Sequence, residues 1–225
     1  MGDGSVEFGA RTLAMEDNKQ SEIVYRRMAE KQFWVTPTLA VSAHTLESGT
    51  RDYESDVRKR FIFPGILATW DPKLGFRNPL QGRALELRRL SVKRWQEAAL
   101  AAHKAGVPMI LGTDCGANNN RTIPGWSIHE ELEALVKAGL SPAEALRMAT
   151  INAARWRGES ATEGSVERGK VADLLILRSN PLAAIRHTQE IDAVFKSGKR
   201  YSRSDLDAML RQVEEKVAAF RRKSQ

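Results

Sequence analysis

Cysteine is nearly missing from this sequence: Cys115 is the only one in 225 residues. That excludes an internal disulfide framework and any cysteine-rich zinc site. Long apolar runs are missing too, and no stretch approaches the ~18 residues that a membrane helix needs. The opening "MGDGSVEFGA" has neither the basic nor the apolar region of a signal peptide, so the expectation is a cytoplasmic protein with no membrane partner. Histidine is scarce. His44, His103, His129 and His187 are the whole supply, and none stands in an HxH or HExxH spacing. Net charge is +7, but Lys and Arg are interspersed with acids in most segments. The densest basic runs, Arg58-Lys59-Arg60, Arg88-Arg89 and Arg221-Arg222-Lys223, read as solvated helix faces or a frayed tail. No interleaved aromatics accompany them, so no nucleic-acid partner is expected.

What is present is an alternation of strand and helix signals. "SVEFG" (Ser5 to Gly9) is a short strand candidate, and "DNKQSEIVYRRMAEKQ" reads as a helix. "FWVTPTLAVS", rich in β-branched and aromatic residues, predicts a strand ended by Pro37. Residues 44 to 82 are broken by Pro64, Pro72, Pro79 and several glycines, with a helical piece expected around Tyr53 to Phe61. "RALELRRLSVKRWQEAALAAHKAG" predicts a long helix, with Val92, Trp95, Ala99 and Ala102 on one face and Gly106 as its stop. The buried strand "VPMILGTD" follows.

Ser127 and Glu130 form a capping-box pattern ahead of a helix with Ile128, Leu132, Leu135 and Val136 on one face. Ser141, Pro142 and Glu144 repeat the signal for a helix ending at Gly158. The character then changes to Gly-marked turns, the apolar run Leu174 to Leu177, and a hairpin across Ser197-Gly198. A last helix starts from Ser204 as cap, with Leu206, Leu210, Val213, Val217 and Phe220 on one stripe. The expected units are therefore an α/β part (1–158), a β-rich part (159–203) and a C-terminal helix (204–225). The α/β part offers three strands, too few for a parallel sheet to cover its own edges.

Asp114 is the first chemical candidate. In parallel α/β proteins ligands sit at the carboxyl ends of strands, and an apolar run delivers Asp114 to such an end. A carboxylate there can bind a metal or take a proton from water; it can equally cap a helix or fix a loop. The connection from Cys115 to Trp126 is long for a strand-to-helix loop. Its Asn118, Asn119 and Asn120 offer donors and acceptors for a substrate, or simply face solvent. His129 opens the next helix, where the N-terminus favours a neutral ring. It can face the same mouth as Asp114 or bond to loop backbone. His44 follows "TPTLAVS" near the same rim. Cys115 with His129 makes a nucleophile–base pair only on paper, because no activating pattern surrounds the thiol.

Taken together, "GTD" after an apolar strand, "PGWSIHEELEALVKAGLSPAEALRMATINAAR", "GSVERGKVADLLILRSNPL" and "VFKSGKRY" resemble the C-terminal half of metal-dependent amidohydrolases, in the imidazolonepropionase-like and Xaa-Pro dipeptidase-like branch. The resemblance covers most of the chain and is weakest over residues 44–82. It implies a (β/α)8 barrel of the TIM type with a small β-sandwich, of which this chain carries strands 6 to 8, their helices and part of the sandwich. It implies one or two divalent metals, zinc first among them, held at the barrel mouth by an HxH, a bridging group, two histidines and an aspartate. Asp114 matches that aspartate, as metal ligand and proton shuttle. "FWVTPTLAV" matches strand 7 and "SVEFG" strand 6, where the family commonly reads "EHG"; Phe8 then stands where a ligand would be. His129 and Asn118 fall on the substrate side.

A zinc site needs roughly three protein ligands, and this chain matches one. The expectation is therefore a fragment, binding no metal tightly alone, of an enzyme that hydrolyses C–N bonds in amide or dipeptide-like substrates. Its partner would be a complementing N-terminal half or a second copy. The other reading is an inactive half-barrel that serves as an interaction module.

Overall fold

In the computed structural model, residues 18–46, 55–70, 81–116 and 122–223 are described. The expected strand Ser5–Gly9 with Phe8, and Asn118 to Asn120, lie outside them.

The first helix, α1 (Asn18–Glu30), ends on Gln32 in the left-handed region, φ 51°. The amides of Gln32 and Phe33 then bond back to the carbonyls of Ala29 and Met28 at 3.1 and 2.8 Å, a Schellman-type stop. The chain leaves extended and forms an isolated parallel bridge, Val35 to Met109. Val35 N donates to Pro108 O, and Ile110 N to Val35 O, both at 3.0 Å. The adjacent parallel segments expected from the sequence therefore exist, but as stubs.

The extended segment of "FWVTPTLAVS" ends at Pro37, as the sequence predicts, and it pairs through one bridge residue, Val35. After Pro37 and the left-handed Thr38 (φ 49°) the chain turns into helix α2 (Leu39–Leu46). Past Pro37 the apolar residues Leu39, Ala40 and Val41 are helical, and a buried cap fixes the first turn of α2. The helical piece expected near Tyr53–Phe61 is a 3-10 turn, Val57–Phe61, capped by Asp56, whose carboxylate accepts from Arg58 N at 2.9 Å. A short helix α3 (Pro64–Ala68) follows.

Helix α4 (Gly82–Lys104) matches its prediction, with Leu87, Val92, Ala99 and Ala102 buried. Trp95, expected inward, is 42% exposed with the Arg88 guanidinium 5.8 Å from its ring. Gly106 (φ 83°) stops the helix as expected, in a conformation that costs a side chain energy. Helix α5 (Ser127–Lys137) starts differently from its prediction. Trp126, not Ser127, is the cap residue and no side chain caps it; Glu130 is engaged elsewhere. Ser141 and Glu144 do form the expected capping box, on α6 (Pro142–Ala149). The continuous helix expected to Gly158 breaks at Thr150 (φ −127°, ψ −97°), and α7 (Ile151–Arg157) resumes after it. The Asn152 amide of α7 donates to Met109 O at 2.9 Å, and Leu111 N donates to Met148 O at 3.1 Å. These bonds tie the segment before Asp114 to α6 and α7.

The core runs through these helices and the stub pair. Leu39, Ala99, Ala102, Val107, Met109, Leu132, Leu135, Leu140, Ala145, Met148 and Ile185 form one buried cluster, with Val35 and Leu111 packed against it. Alternation along an extended chain puts Val107, Met109 and Leu111 on the core face. Gly112 therefore faces the other way, against Thr36. A Cβ on Gly112 would stand 2.5 Å from the Thr36 methyl, so the two stubs approach closely only because residue 112 has no side chain.

The β-rich part is an antiparallel sheet in the order β1 (Leu174–Leu177), β2 (Ile191–Lys196), β3 (Lys199–Ser202). The hairpin turns at Ser197 (φ 50°) and Gly198 (φ 80°), the two left-handed residues of a type I′ turn. Asp173 clasps that turn by accepting from Ser197 N at 2.6 Å and pairing with Lys196. Lys170 reaches Ser160 O at 2.8 Å and Ser165 Oγ at 2.5 Å. The charged residues of "GKVADLLIL" thus hold loops together. Helix α8 (Arg203–Lys223) is capped by Ser202, not Ser204: Ser202 N donates to Asp205 Oδ2 at 2.8 Å, and Asp205 N to Ser202 Oγ at 3.3 Å.

The Glu144 carboxylate tests this packing through pH. Its hydrogen bonds with the Ser141 hydroxyl, then with His103 at 2.9 Å, hold it down to about 2. A depressed carboxyl stabilises the fold above its unfolded value and loses that contribution as pH falls through its folded value. The gap in urea midpoint between the native chain and Glu144→Gln is therefore expected to be full above about pH 5 and to close as pH falls toward 2. A gap independent of pH contradicts the assignment.

Candidate functional site

The stub pair and the helices packed on it decide where chemistry can sit. Met109 and Val35 run parallel, so their carboxyl ends open in one direction. Asp114 stands at that end, exposed, with a left-handed backbone of φ 49°. Thr38 ends the neighbouring stub at the same φ of 49°. Two non-glycine residues in this sparsely populated region, at the ends of adjacent parallel segments, mark the place where α/β proteins keep functional groups.

The segment carrying Thr38 is pinned from α5. Glu131 is fully buried, and its carboxylate accepts from Leu39 N at 2.9 Å and Ala40 N at 2.6 Å. It therefore caps α2, satisfying two amides that no helix bonds internally, at the positive end of the helix dipole. Burial pushes the Glu131 carboxyl up, against the downward pull of those two amides. Its neighbour Glu130 faces a different set. Arg58 Nη1 lies 2.9 Å from Glu130 Oε1, and Arg58 also forks onto Asp56 at 2.7 to 3.1 Å. His44 Nε2 stands 3.3 Å from Glu130 Oε2 without hydrogen-bond geometry, and that oxygen and His44 Nδ1 are buried without a hydrogen-bond partner among the described residues. Burial pushes Glu130 upward, but His44 and Arg58 together outweigh it and the carboxyl ends below the usual range.

Each of the four histidines has a partner of its own among the described residues. His44 is buried against Glu130, and His129 bonds through Nδ1 to Thr188 Oγ1 at 2.9 Å. His103 pairs with Glu144, and His187 Nδ1 meets Asn180 O at 2.9 Å. None of them pairs with Asp114. The His129 ring is pulled toward neutrality, as the sequence predicted, but mainly by burial; Glu133 and Glu130 pull the other way. Cys115 is a free, exposed thiol, and among the described residues no hydrogen bond joins it to His129, whose Nδ1 bonds to Thr188. Among the described residues no three His, Cys, Asp or Glu side chains come close enough to hold a metal ion. Of the ligand set that the resemblance implies, the described residues include Asp114 but no group of three.

Sequence reasoning missed Glu131, Glu130, Arg58 and Asp56. One signal was available: Glu131 stands on the same stripe as Leu132 and Leu135, where a carboxylate is out of place unless it is bound. Its partners lie 91 and 92 residues away, beyond any local pattern.

Comparison with known proteins places these features in context. The Amidohydrolase family model matches residues 24–201. An imidazolonepropionase of Geobacillus kaustophilus is 38% identical over 98 residues, which cover 42% of this chain and 23% of that protein. An ochratoxinase of Aspergillus niger is 38% identical over 110 residues, covering 47% and 22%. Among solved structures, a bottromycin amidohydrolase superposes with a TM-score of 0.66 at 25% identity, over 82% of this chain and 40% of that one. A Xaa-Pro dipeptidase gives 0.57 at 21% identity, over 83% and 37%. The chain thus spans under a quarter of these curated relatives and about two fifths of the structural ones. Among the described residues no helix is long and apolar enough to cross a membrane.

The charge network on α5 yields a direct test. Arg58→Met leaves Glu130 and Asp56 mostly buried without their cation, and is expected to destabilise the fold by roughly 2–4 kcal/mol in urea denaturation. Arg83→Met, which breaks an exposed pair with Glu86, is expected to cost less than about 0.5 kcal/mol. Equal effects contradict the assigned network.

Proposed function

Because the chain belongs to the Amidohydrolase family, we propose that it supplies one part of an enzyme hydrolysing C–N bonds in amide or dipeptide-like substrates. The observation that carries this reading is Asp114 at the open end of the Val35–Met109 pair, inside the matched span of residues 24–201. In the proposed whole, the two stubs are adjacent strands of a (β/α)8 barrel and the sheet β1–β3 is part of a sandwich beside it.

Asp114 has the chemistry of a general base. Its carboxylate takes a proton from water as the water oxygen bonds to the substrate carbonyl carbon. It returns that proton to the nitrogen as the C–N bond breaks. Such a group contributes about 10²–10⁴ in rate. The ligands of a divalent ion, zinc by family precedent, would come from barrel strands supplied by a complementing polypeptide, since the described residues make no site. Support for a complementing segment comes from coverage: the matched relatives are more than twice as long as the part this chain spans. An inactive interaction module is the weaker reading, because nothing in the structure favours it over the family's chemistry.

The test is hydrolysis of acyl-proline dipeptides by the purified chain, alone and mixed with a polypeptide carrying the other barrel strands of a relative. Turnover is expected in the mixture only, falling about 10²–10⁴-fold with Asp114→Asn. Turnover with stoichiometric zinc by the chain alone would overturn its incompleteness. An active mixture indifferent to Asp114→Asn would overturn the role of that residue.

A further inference from the structure

His129 is held in one tautomer. Thr188 is buried, and its Oγ1 lies 2.9 Å from Ile185 O and 2.9 Å from His129 Nδ1. The Ile185 carbonyl can only accept, so the single hydroxyl proton belongs to that bond. The hydroxyl can then only accept from the ring, which puts the ring proton on Nδ1. Burial favours the neutral ring, and the lone pair is left on Nε2. That nitrogen has no hydrogen-bond partner among the described residues. It is also not sealed from solvent, since the buried unpaired atoms do not include it.

The His129 ring lines a groove of about 480 Å³ between the Pro124–Trp126 corner, β2 and α8, a size that suits a small ligand. Most of its other walls are apolar, among them Trp126, Ile191, Val194, Leu206 and Met209, and the Gln189 amide on the lining donates to Glu133 at 2.9 Å. Met209 and Val213 stay substantially exposed there. Arg203, the one cation on the rim, is taken: its Nε meets Asp207 Oδ1 at 2.9 Å and its Nη1 meets Ile191 O at 3.1 Å. A carboxylate or phosphate would thus find a ring lone pair and a neutralised arginine, and be repelled.

We propose that this groove binds a small, flat, mostly apolar molecule carrying one neutral hydrogen-bond donor, such as a phenol or an indole, which donates to His129 Nε2. The apolar walls supply most of the affinity, and the locked tautomer supplies the selection. Thr188 is a positioning residue: it never meets the ligand, but it decides which ring nitrogen is the acceptor. This site is independent of the hydrolytic reading and stands or falls apart from it.

The experiment titrates the full chain with p-cresol, toluene and benzoate while following the His129 ring nitrogens and the Met209 and Val194 methyl groups by NMR. The free chain is expected to show Nδ1 protonated and Nε2 bare. All three probed groups shift saturably with p-cresol. Toluene binds about three- to tenfold more weakly, the factor of one net hydrogen bond, and benzoate more weakly still. His129→Phe removes the preference for p-cresol over toluene. Thr188→Val, which keeps the ring, weakens p-cresol alone by a similar factor and preserves the test if the first variant does not fold. A bare Nδ1, equal binding of p-cresol and toluene, preferred binding of benzoate, or no shift at His129 would each overturn the proposal.

Discussion

The carboxylate of Glu131 is the interaction on which the candidate site depends. It sits with no solvent contact among apolar side chains, a position that costs an isolated charge several kcal/mol. Two short bonds from Leu39 N and Ala40 N, and the positive end of α2, offset that cost. The consequence is geometric. A segment whose composition suits a strand is made to turn at Pro37 and Thr38 and start a helix. The start of that helix is fastened to α5, whose preceding loop begins at Asp114. One carboxylate thus ties together the two chain segments that leave the open end of the parallel pair.

Glu130 extends the same hold outward. Adjacent residues on a helix point about 100° apart, so Glu131 faces the core while Glu130 meets His44 and Arg58. Arg58 in turn fastens the 3-10 turn Val57–Phe61 through Asp56. The first turn of α5 therefore gathers α2 and the excursion after it. On the far side, Gly112 lets Thr36 approach, and Met148 and Asn152 bond the backbone leading to Asp114. The position of Asp114 is built from these contacts, at the end of the pair where the resemblance expects a metal-binding aspartate.

Much of this was legible in the sequence, and the limits have physical causes. The long helix to Gly106, the Ser141–Glu144 box, the Ser197-Gly198 hairpin and the last helix follow from local rules, and each formed. The cap at Ser127 and the continuous helix through Thr150 obeyed the same local rules and did not form. Tertiary partners claimed Glu130, and at Thr150 the backbone leaves helical geometry where α7 turns toward Met109. Likewise Ser202 took the cap expected of Ser204, because Asp205 stands three residues after it. For the site, the resemblance identified the family and singled out Asp114. The neutral ring of His129 was also foreseen, from the helix N-terminus rather than from the burial that dominates. Long-range bonds such as those of Glu131 leave only an indirect trace, a charge on an apolar stripe.

The most direct test of this account is amide hydrogen exchange in the native chain and in Glu131→Gln. The account predicts that the Leu39 and Ala40 amides exchange slowly in the native chain and open selectively in the variant. Core amides of α6 such as Ala145 stay protected, because the capping box there is untouched. Unchanged protection of Leu39 and Ala40 in Glu131→Gln would contradict the claim that this carboxylate fixes the segment beside the candidate site.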